Sequence, residues 1–246
     1  MRAALFAVVI SFCPLLAFAQ TDAARAQLLP TGPLRVGLNA NNRLTRVVGR
    51  EIGLELARRL GVEAVFVDYP SPGAVADAVG KGWDVAFIAA DPDREAAIAF
   101  TPPYIELDAA YLVTVSSSIR TLADIDRPGM RVAAGATSAY TLVLKRDLRR
   151  AELVFLGNDA AAEALTSGVV QAVAGLRFDL ADRAARDARL RVLPETFARA
   201  QQAVALPKAN AAALSFVTEF LRDLKRLGTV AEVIQRTGLP GATVAP

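Results

Sequence analysis

The chain has 246 residues, 53% of them hydrophobic and 22% charged, with 28 Lys+Arg against 25 Asp+Glu, one Cys and no His. That length supports one large or two modest domains with real cores, and the missing His excludes the Ser/His/Asp triad, the Cys/His dyad and His-ligated zinc or haem. A lone Cys forms no disulfide within the chain, and the net charge of +3 is spread along the sequence rather than gathered into a nucleic-acid or polybasic membrane patch.

Arg2 precedes an apolar run from Ala3 to Leu16, and Ala17-Phe18-Ala19 has the small-x-small pattern that a signal peptidase accepts before Gln20. Residues 1–19 therefore read as a cleaved export signal, the run being shorter than the roughly 20 apolar residues of a spanning helix. Cys13 lies inside that run behind Ile10-Ser11-Phe12, which lacks the small residues of a lipoprotein site. The expected product is periplasmic, free of Cys, and without a second segment apolar enough to cross a membrane. Residues 20–33 are Ala-rich and end in Leu29-Pro30-Thr31-Gly32-Pro33, so they are expected to form a flexible leader with neither helix nor strand.

From Leu34 the pattern becomes regular. Leu34–Leu38 alternates as a strand, and Asn39–Arg43 follows as a polar loop. Val48, Ile52, Leu56 and Leu60 recur at helical spacing, which predicts a helix over 44–60 closed by Gly61. Val62–Val67 is a second strand, Ala74–Val79 a short helix closed by Gly80, and the nearly all-apolar Asp84–Ile88 a third strand buried on both faces. Strand, helix, strand, helix, strand implies parallel crossover units. After a strand at Tyr111–Val115 and the polar Ser116-Ser117-Ser118, the rhythm restarts. Strands at Arg131–Ala134, Glu152–Phe155 and Val169–Ala174 alternate with helices at Ser138–Leu148 and Asp159–Thr166. The tail is helical through Leu214, Val217, Leu221 and Leu224, and Thr229-Val230-Ala231-Glu232 reads as a capping box opening a last helix.

In open parallel sheets ligands collect beyond the carboxyl ends of the strands, which selects three loops. The first, Asn39 to Thr45, offers Asn39 and Asn41, whose amides both donate and accept, against the plain alternative that they form turns. The second, Ala89 to Glu95, has Asp91 as N-cap, Pro92 at N1 and Arg94 in the first turn, where a cation opposes the dipole. Arg94 is either a fork for a carboxylate or the partner of Asp91 or Asp93 in a surface ion pair. The third, Gly135 to Tyr140, carries Thr137 and Ser138 at a helix N-terminus suited to an anion or to simple capping. Arg177 follows a strand and either faces the same cleft or is solvated. No phosphate-binding Gly-rich loop follows a strand. Trp83 and Tyr104 are explained by core or hinge packing.

These residues resemble the family 3 extracellular solute-binding proteins of ABC importers, over nearly all of the mature chain. The markers are Leu34-Arg35-Val36-Gly37, Gly80-Lys81-Gly82-Trp83-Asp84, Asp91-Pro92-Asp93-Arg94 with Phe100-Thr101-Pro102-Pro103-Tyr104, Leu122-Ala123-Asp124-Ile125, Gly135-Ala136-Thr137, and the closing helices through Gly228 and Gly238. The resemblance implies an α/β type II periplasmic-binding fold. Two lobes, each a mostly parallel sheet flanked by helices, would be joined by crossover strands near Tyr111–Val115 and Ala203–Lys208. The expected division is 34–114 with 205–246 as the first lobe and 115–204 as the second. It also implies a small-molecule solute bound between closing lobes, delivery to an ABC permease or a receptor, a monomer, no cofactor and no metal. Arg94 would fork onto a ligand carboxylate, helped by donors around Thr137.

The chain departs from amino-acid-binding relatives at three places. Ala89 and Ala90 stand where Ser or Thr is usual, Leu176-Arg177 where an acid holds the ligand ammonium, and Asn41-Asn42-Arg43 in place of an aromatic segment. A buried ammonium without a carboxylate is costly, so the expectation shifts toward a small anionic or carboxylate-bearing solute. Two alternatives stand beside a binding protein. One is a cyclohexadienyl dehydratase-like enzyme, for which neither Glu51 nor Asp93 is a clearly placed acid. The other is an accessory protein that keeps the fold and contacts a protein partner, which an apolar-filled cleft would favour.

Overall fold

Asp22-Ala23-Ala24-Arg25-Ala26-Gln27-Leu28 is rich in strong helix formers, and in the computed structural model, which describes residues 22–246, it forms a helix, α1 (residues 22–28). The export signal and Gln20 lie outside the described residues. The expectation of a leader without structure is corrected here: Pro30, Gly32 and Pro33 punctuate the end of a helix rather than a free tail. Ala24 and Leu28, one turn apart, are both wholly buried. Arg25 donates to the Leu60 carbonyl, and the Gln27 side-chain oxygen accepts from the Ala213 amide at 2.9 Å.

The first lobe follows. β1 (Leu34–Asn39) pairs in parallel with β2 (Ala64–Tyr69) on one side and β3 (Val85–Ala89) on the other. α2 (Arg50–Leu60) is entered through a π-helical turn at Thr45–Gly49 and ends at Gly61, whose φ of 66° is the left-handed conformation expected of that glycine. α3 (Pro72–Asp77) is capped by the Ser71 side chain. β3 is buried along its whole length, as its apolar run requires. A short β4 (Ile98–Phe100) leads to β5 (Ile105–Thr114), which begins well before the expected Tyr111.

The second lobe repeats the plan with β6 (Arg131–Ala134), α4 (Ala139–Asp147), β7 (Glu152–Phe155), α5 (Asn158–Thr166) and β8 (Ala172–Leu176). β6 pairs in parallel with β7 and β8. β8 starts later than expected, because Val169 faces solvent at the turn before it. Helix α6 (Arg177–Arg186) and strand β9 (Leu190–Val192) are additions to the expected elements. β10 (Ala198–Pro207) then returns to the first lobe, followed by α7 (Ala211–Arg226), α8 (Thr229–Thr237) and a short β11 (Ala242–Val244). The residue capping α8 is Gly228, and no side-chain capping bond is present, so the expected capping box at Thr229 does not form.

One sheet runs through both lobes in the order β2-β1-β3-β10-β5-β8-β6-β7. β10 and β5 are the two crossovers. They pair antiparallel with each other from Ala198↔Ala109 to Gln202↔Ile105, while β10 continues against β3 and β5 against β8. The first lobe's core lies where α2, α7 and α8 cover the sheet, around Leu34, Val36, Leu56, Val217, Phe220 and Val233. Trp83 and Tyr104 are buried packing residues, as expected, and the Trp83 indole donates to the Val75 carbonyl at 2.7 Å. The docking of α1 gives a direct test. Leu28→Ala should destabilise the protein by about 2–5 kcal/mol, the cost of truncating a buried leucine, read from urea unfolding midpoints; a free leader would show no change.

Candidate functional site

The carboxyl ends of β1, β3, β6, β7 and β8 converge on a cavity of about 730 Å³ between the lobes, where the sheet rule places a ligand. From the first lobe it is walled by Asn39, Asn41, Asn42, Thr45, Pro70–Pro72, Phe87–Ala89 and Arg94; from the second by Gly135–Tyr140, Phe155–Asp159, Leu176, Asp179 and Arg183; and at the crossover strands by Ala200 and Gln202. Five of the six site residues expected from sequence line it: Asn39, Asn41, Arg94, Thr137 and Ser138.

Arg94 sits in a short 3₁₀ turn, Pro92–Arg94, which Asp91 caps by accepting from the Asp93 amide at 3.0 Å. The residue is 9% exposed. Nη1 donates to the Ala89 carbonyl at 2.6 Å and Nη2 crosses the cleft to the Thr137 carbonyl at 2.7 Å. The surface ion pair weighed for it is not what forms. Asp91 and Asp93 are taken by Arg146 of α4, at 3.4 and 3.9 Å, and no carboxylate lies within 4.0 Å of Arg94 among the described residues. Burial pulls the Arg94 pKa down, partly offset by Asp91 and Asp93 nearby.

Thr137 closes the contact from the other side. Its hydroxyl accepts from the Gly73 amide at 3.3 Å, an approach that needs glycine, since a Cβ on Gly73 would lie 2.8 Å from the Thr137 methyl. Ser138 is the N-cap of α4 but makes no capping bond there; its hydroxyl meets Tyr140 instead. The Asn residues are largely spent on their own loop. The Asn39 side chain accepts from the Asn41 amide at 3.2 Å, Asn42 accepts from the Thr45 amide at 3.1 Å, and Asn41 donates to the Pro70 carbonyl at 2.7 Å. Their turn-forming role therefore holds even though they wall the cavity.

Arg177 is the correction. It lines neither this cavity nor its neighbour. Its guanidinium donates to the Leu193, Pro194 and Glu195 carbonyls and to Thr196 at 2.9–3.1 Å, and approaches Asp108 at 3.7 Å, tying α6 to the chain between β9 and β10. The residue that faces the cleft is Asp179, in the first turn of α6. Burial raises its pKa from 3.8 to about 6, with Asp182 adding to the rise and Arg43 and Arg183 opposing it. Asp179, Asp182, Arg183 and Arg186 recur at helical spacing on one face, a charge pattern that would have revealed both the helix and its polar side. Glu51 and Asp93 are not alternatives. Glu51 pairs with Arg236 away from the cavity, and Asp93 is exposed.

A two-lobed sheet with its cavity at the strand ends agrees with what the comparisons find. The family model of the bacterial extracellular solute-binding proteins, family 3, matches residues 46–238. The chain belongs to this family. Among solved structures, ArgBP from T. maritima, as a mutant, is 23% identical, with 87% of this chain and 98% of that one covered and a TM-score of 0.71. The amino acid ABC transporter substrate-binding protein AbpA from Streptococcus pneumoniae, bound to L-arginine, is 22% identical, with 85% and 95% covered and a TM-score of 0.72. The ancestral amino acid-binding protein AncCDT-1, a precursor of cyclohexadienyl dehydratase, is 22% identical, with 85% and 97% covered and a TM-score of 0.70. These likenesses establish the type II periplasmic-binding fold. No curated protein matches the chain.

As a member of this family the chain carries an acid at its cleft whose charge is disfavoured by folding. The Asp179 carboxyl binds its proton more tightly in the folded state than in the unfolded one, so its contribution to stability is present below pH 3.8 and is lost as pH rises through about 6. Asp179→Asn should therefore raise stability at pH 7 by on the order of 1 kcal/mol and flatten the fall in stability between pH 4 and 6, as measured by denaturant titration across that range.

Proposed function

We propose that this chain is an exported receptor that captures a small carboxylate-bearing solute in its interlobe cleft and presents it to an ABC importer or a membrane receptor. The observation that carries the reading is Arg94: buried on the cavity wall, desolvated, and without a carboxylate partner among the described residues. A guanidinium has more N–H donors than the two engaged by Ala89 and Thr137, and its planar fork suits a carboxylate. Because one of those two bonds reaches the second lobe, Arg94 would couple solute binding to closure. Signal cleavage at Ala19, residence in the periplasm, a monomeric state and the lobe boundaries at 114 and 204 belong to the same proposal.

Asp179 adds an opposite pole on the second lobe. The expectation against α-amino acids rested on three departures, and for one of them, the missing acid at Leu176-Arg177, Asp179 offers a carboxylate from the next helix. A solute with both a carboxylate and a cationic group then meets a partner at each end. The relatives whose structures hold L-arginine or lysine are consistent with that pairing. The accessory-protein alternative keeps the missing Ser/Thr at Ala89 and Ala90 in its favour, but polar and charged groups wall the cavity rather than the apolar filling that would strengthen it.

An enzyme on this scaffold has one observation in its favour: a carboxyl with pKa about 6 at the cleft is suited to general acid work. Chemical turnover of the bound compound, followed by NMR, separates that reading from binding alone.

The test is a thermal-shift panel of amino acids, keto acids, dicarboxylates, sulfonates and cyclohexadienyl acids. Saturating ligand at about 100 times its Kd should stabilise the protein by roughly 2.7 kcal/mol. For the compound that binds, Arg94→Ala should weaken affinity by about thirtyfold or more, and Arg94→Lys should restore only part of it, because a point charge replaces the fork. Unchanged affinity in Arg94→Ala sinks the assignment. If the solute is cationic at one end, its affinity should rise from pH 5 to 7 as Asp179 ionises, whereas Asp179→Asn should show no such rise in a titration over the same range.

A further inference from the structure

Helix α4 meets the turn that carries Arg94 at two points. The loop before the helix supplies the Thr137 carbonyl that Arg94 Nη2 reaches at 2.7 Å. From the last turn of the helix, Arg146 reaches the acids on either side of Pro92. Its Nη1 and Nη2 lie 3.4–3.5 Å from the Asp91 carboxylate oxygens, and Nη1 lies 3.9 Å from Asp93. Arg146 is the one base within 4.0 Å of either acid among the described residues. A carboxylate taken out of water needs a counter-charge, and the cation beside Asp91, itself 4% exposed, comes from the other lobe. These contacts are longer than the roughly 2.7–2.9 Å of a tight charge-assisted bond, and the Arg146 side chain stays half-exposed, so the bridge breaks and reforms readily. Its second consequence falls on Arg94. Asp91 and Asp93 are near enough to that guanidinium to favour its charged form, and acids that attract it repel an anion seated on it.

We infer that Arg146 is a positioning residue that clamps the two lobes together and shields a solute carboxylate on Arg94 from Asp91 and Asp93. Arg146 does not line the cavity, so affinity depends on a side chain that the solute does not touch. A solute that binds the closed arrangement binds more weakly in proportion as that arrangement is less populated. The clamp stands on geometry alone, and the shielding rests on the carboxylate reading of Arg94. A second bridge crosses the cleft, Arg43 to Asp182 at 3.0 Å, but both of its side chains are exposed, and such pairs contribute little.

The experiment has two arms. Pro72, at the start of α3, and Asn158 and Asp159, at the start of α5, wall the same cavity, so the spacing of these helices reports its closure. Nitroxide labels on Asp77→Cys and Glu163→Cys, both exposed positions, give that spacing by pulsed electron resonance, the chain's one Cys, Cys13, lying in the export signal. Without added solute, Arg146→Gln should lower the ratio of short to long distances about fivefold. Raising NaCl from about 20 to about 500 mM should lower it in the wild type by screening the bridge, and Arg146→Lys should recover part of it. Arg149→Gln, which removes an exposed charge just beyond α4, should leave it unchanged. Identical distributions in Arg146→Gln and the wild type, or an equal shift in Arg149→Gln, overturn the clamp. In the second arm, L-arginine, L-lysine, L-glutamate and succinate are titrated calorimetrically. For each that binds the wild type, Arg146→Gln should weaken affinity by more than the fall in its distance ratio accounts for, and a loss without that excess overturns the shielding. If none of the four binds, the carboxylate reading of Arg94 fails and the shielding with it, while the distances still decide the clamp.

Discussion

The pairing of β5 with β10 is the constraint on which the rest of the molecule depends. Each strand is ten residues long, and for half of that length they bond to each other, from Ala198↔Ala109 to Gln202↔Ile105. Beyond that stretch each strand is claimed by a different lobe, β10 by β3 and β5 by β8. The lobes therefore share a continuous hydrogen-bonded sheet, and the segment they share is the part of the sheet that lies beneath the cavity. Ala200, at the centre of this pairing, and Gln202, at its end, are also the residues that floor the cleft. Any change in the angle between the lobes would bend the strands that present them, so the floor of the cleft and the angle of its walls are set by the same two strands.

The second organising feature is a division of charge. Asp91 caps the turn that holds Arg94, and a local pair between them would have neutralised both. Instead the Asp91 carboxylate, 4% exposed, caps its own turn and faces Arg146, which comes from α4 of the opposite lobe. Arg94 is left to neutral carbonyls on Ala89 and Thr137. The exchange leaves the first-lobe wall with a cation that has no acid within 4.0 Å among the described residues, and on the second-lobe wall Asp179 has no hydrogen-bonded base among them. The pKa shifts point the same way: burial lowers Arg94 and raises Asp179, each toward its neutral form. That is the signature of charges removed from water without full compensation, and a solute of matching polarity would restore what desolvation removed.

Much of the fold was legible because its repeated unit is periodic. β1, β3, β6, β7 and the helices over Arg50–Leu60, Ala139–Asp147 and Asn158–Thr166 follow the apolar spacing, and Asp91-Pro92 marks its turn by capping chemistry alone. The misreadings share a cause, which is that local pattern competes with long-range pairing. β5 extends back to Ile105 because β10 and β11 pair with it there, and nothing in the residues from Ile105 to Ala110 announces those partners. The segment from Asp22 to Leu28 was read through the prolines that follow it, although its composition favours a helix and Leu28 has a core position to fill. At the site, residue types were legible and directions were not. Arg94 and Arg177 each follow a buried strand, yet one turns into the cleft and the other away to the carbonyls of 193–195.

The position of Asp179 follows from which element presents it. An acid at the end of β8 would point along the strand axis into the cleft, but Asp179 is set back into the first turn of α6. From there it borders both the interlobe cavity and an adjoining one of about 450 Å³ walled by second-lobe residues and Arg43 of the first lobe. The two cavities share Tyr140, Asn158, Asp159, Leu176, Asp179 and Arg183 in their walls. Asp179 therefore stands on the wall that the two cavities share. The second cavity lies between α5 and α6, beyond Asp179 as seen from Arg94. Moving one carboxylate from a strand end to a helix turn thus changes the shape that the cleft accepts, while the fold that carries it stays the same.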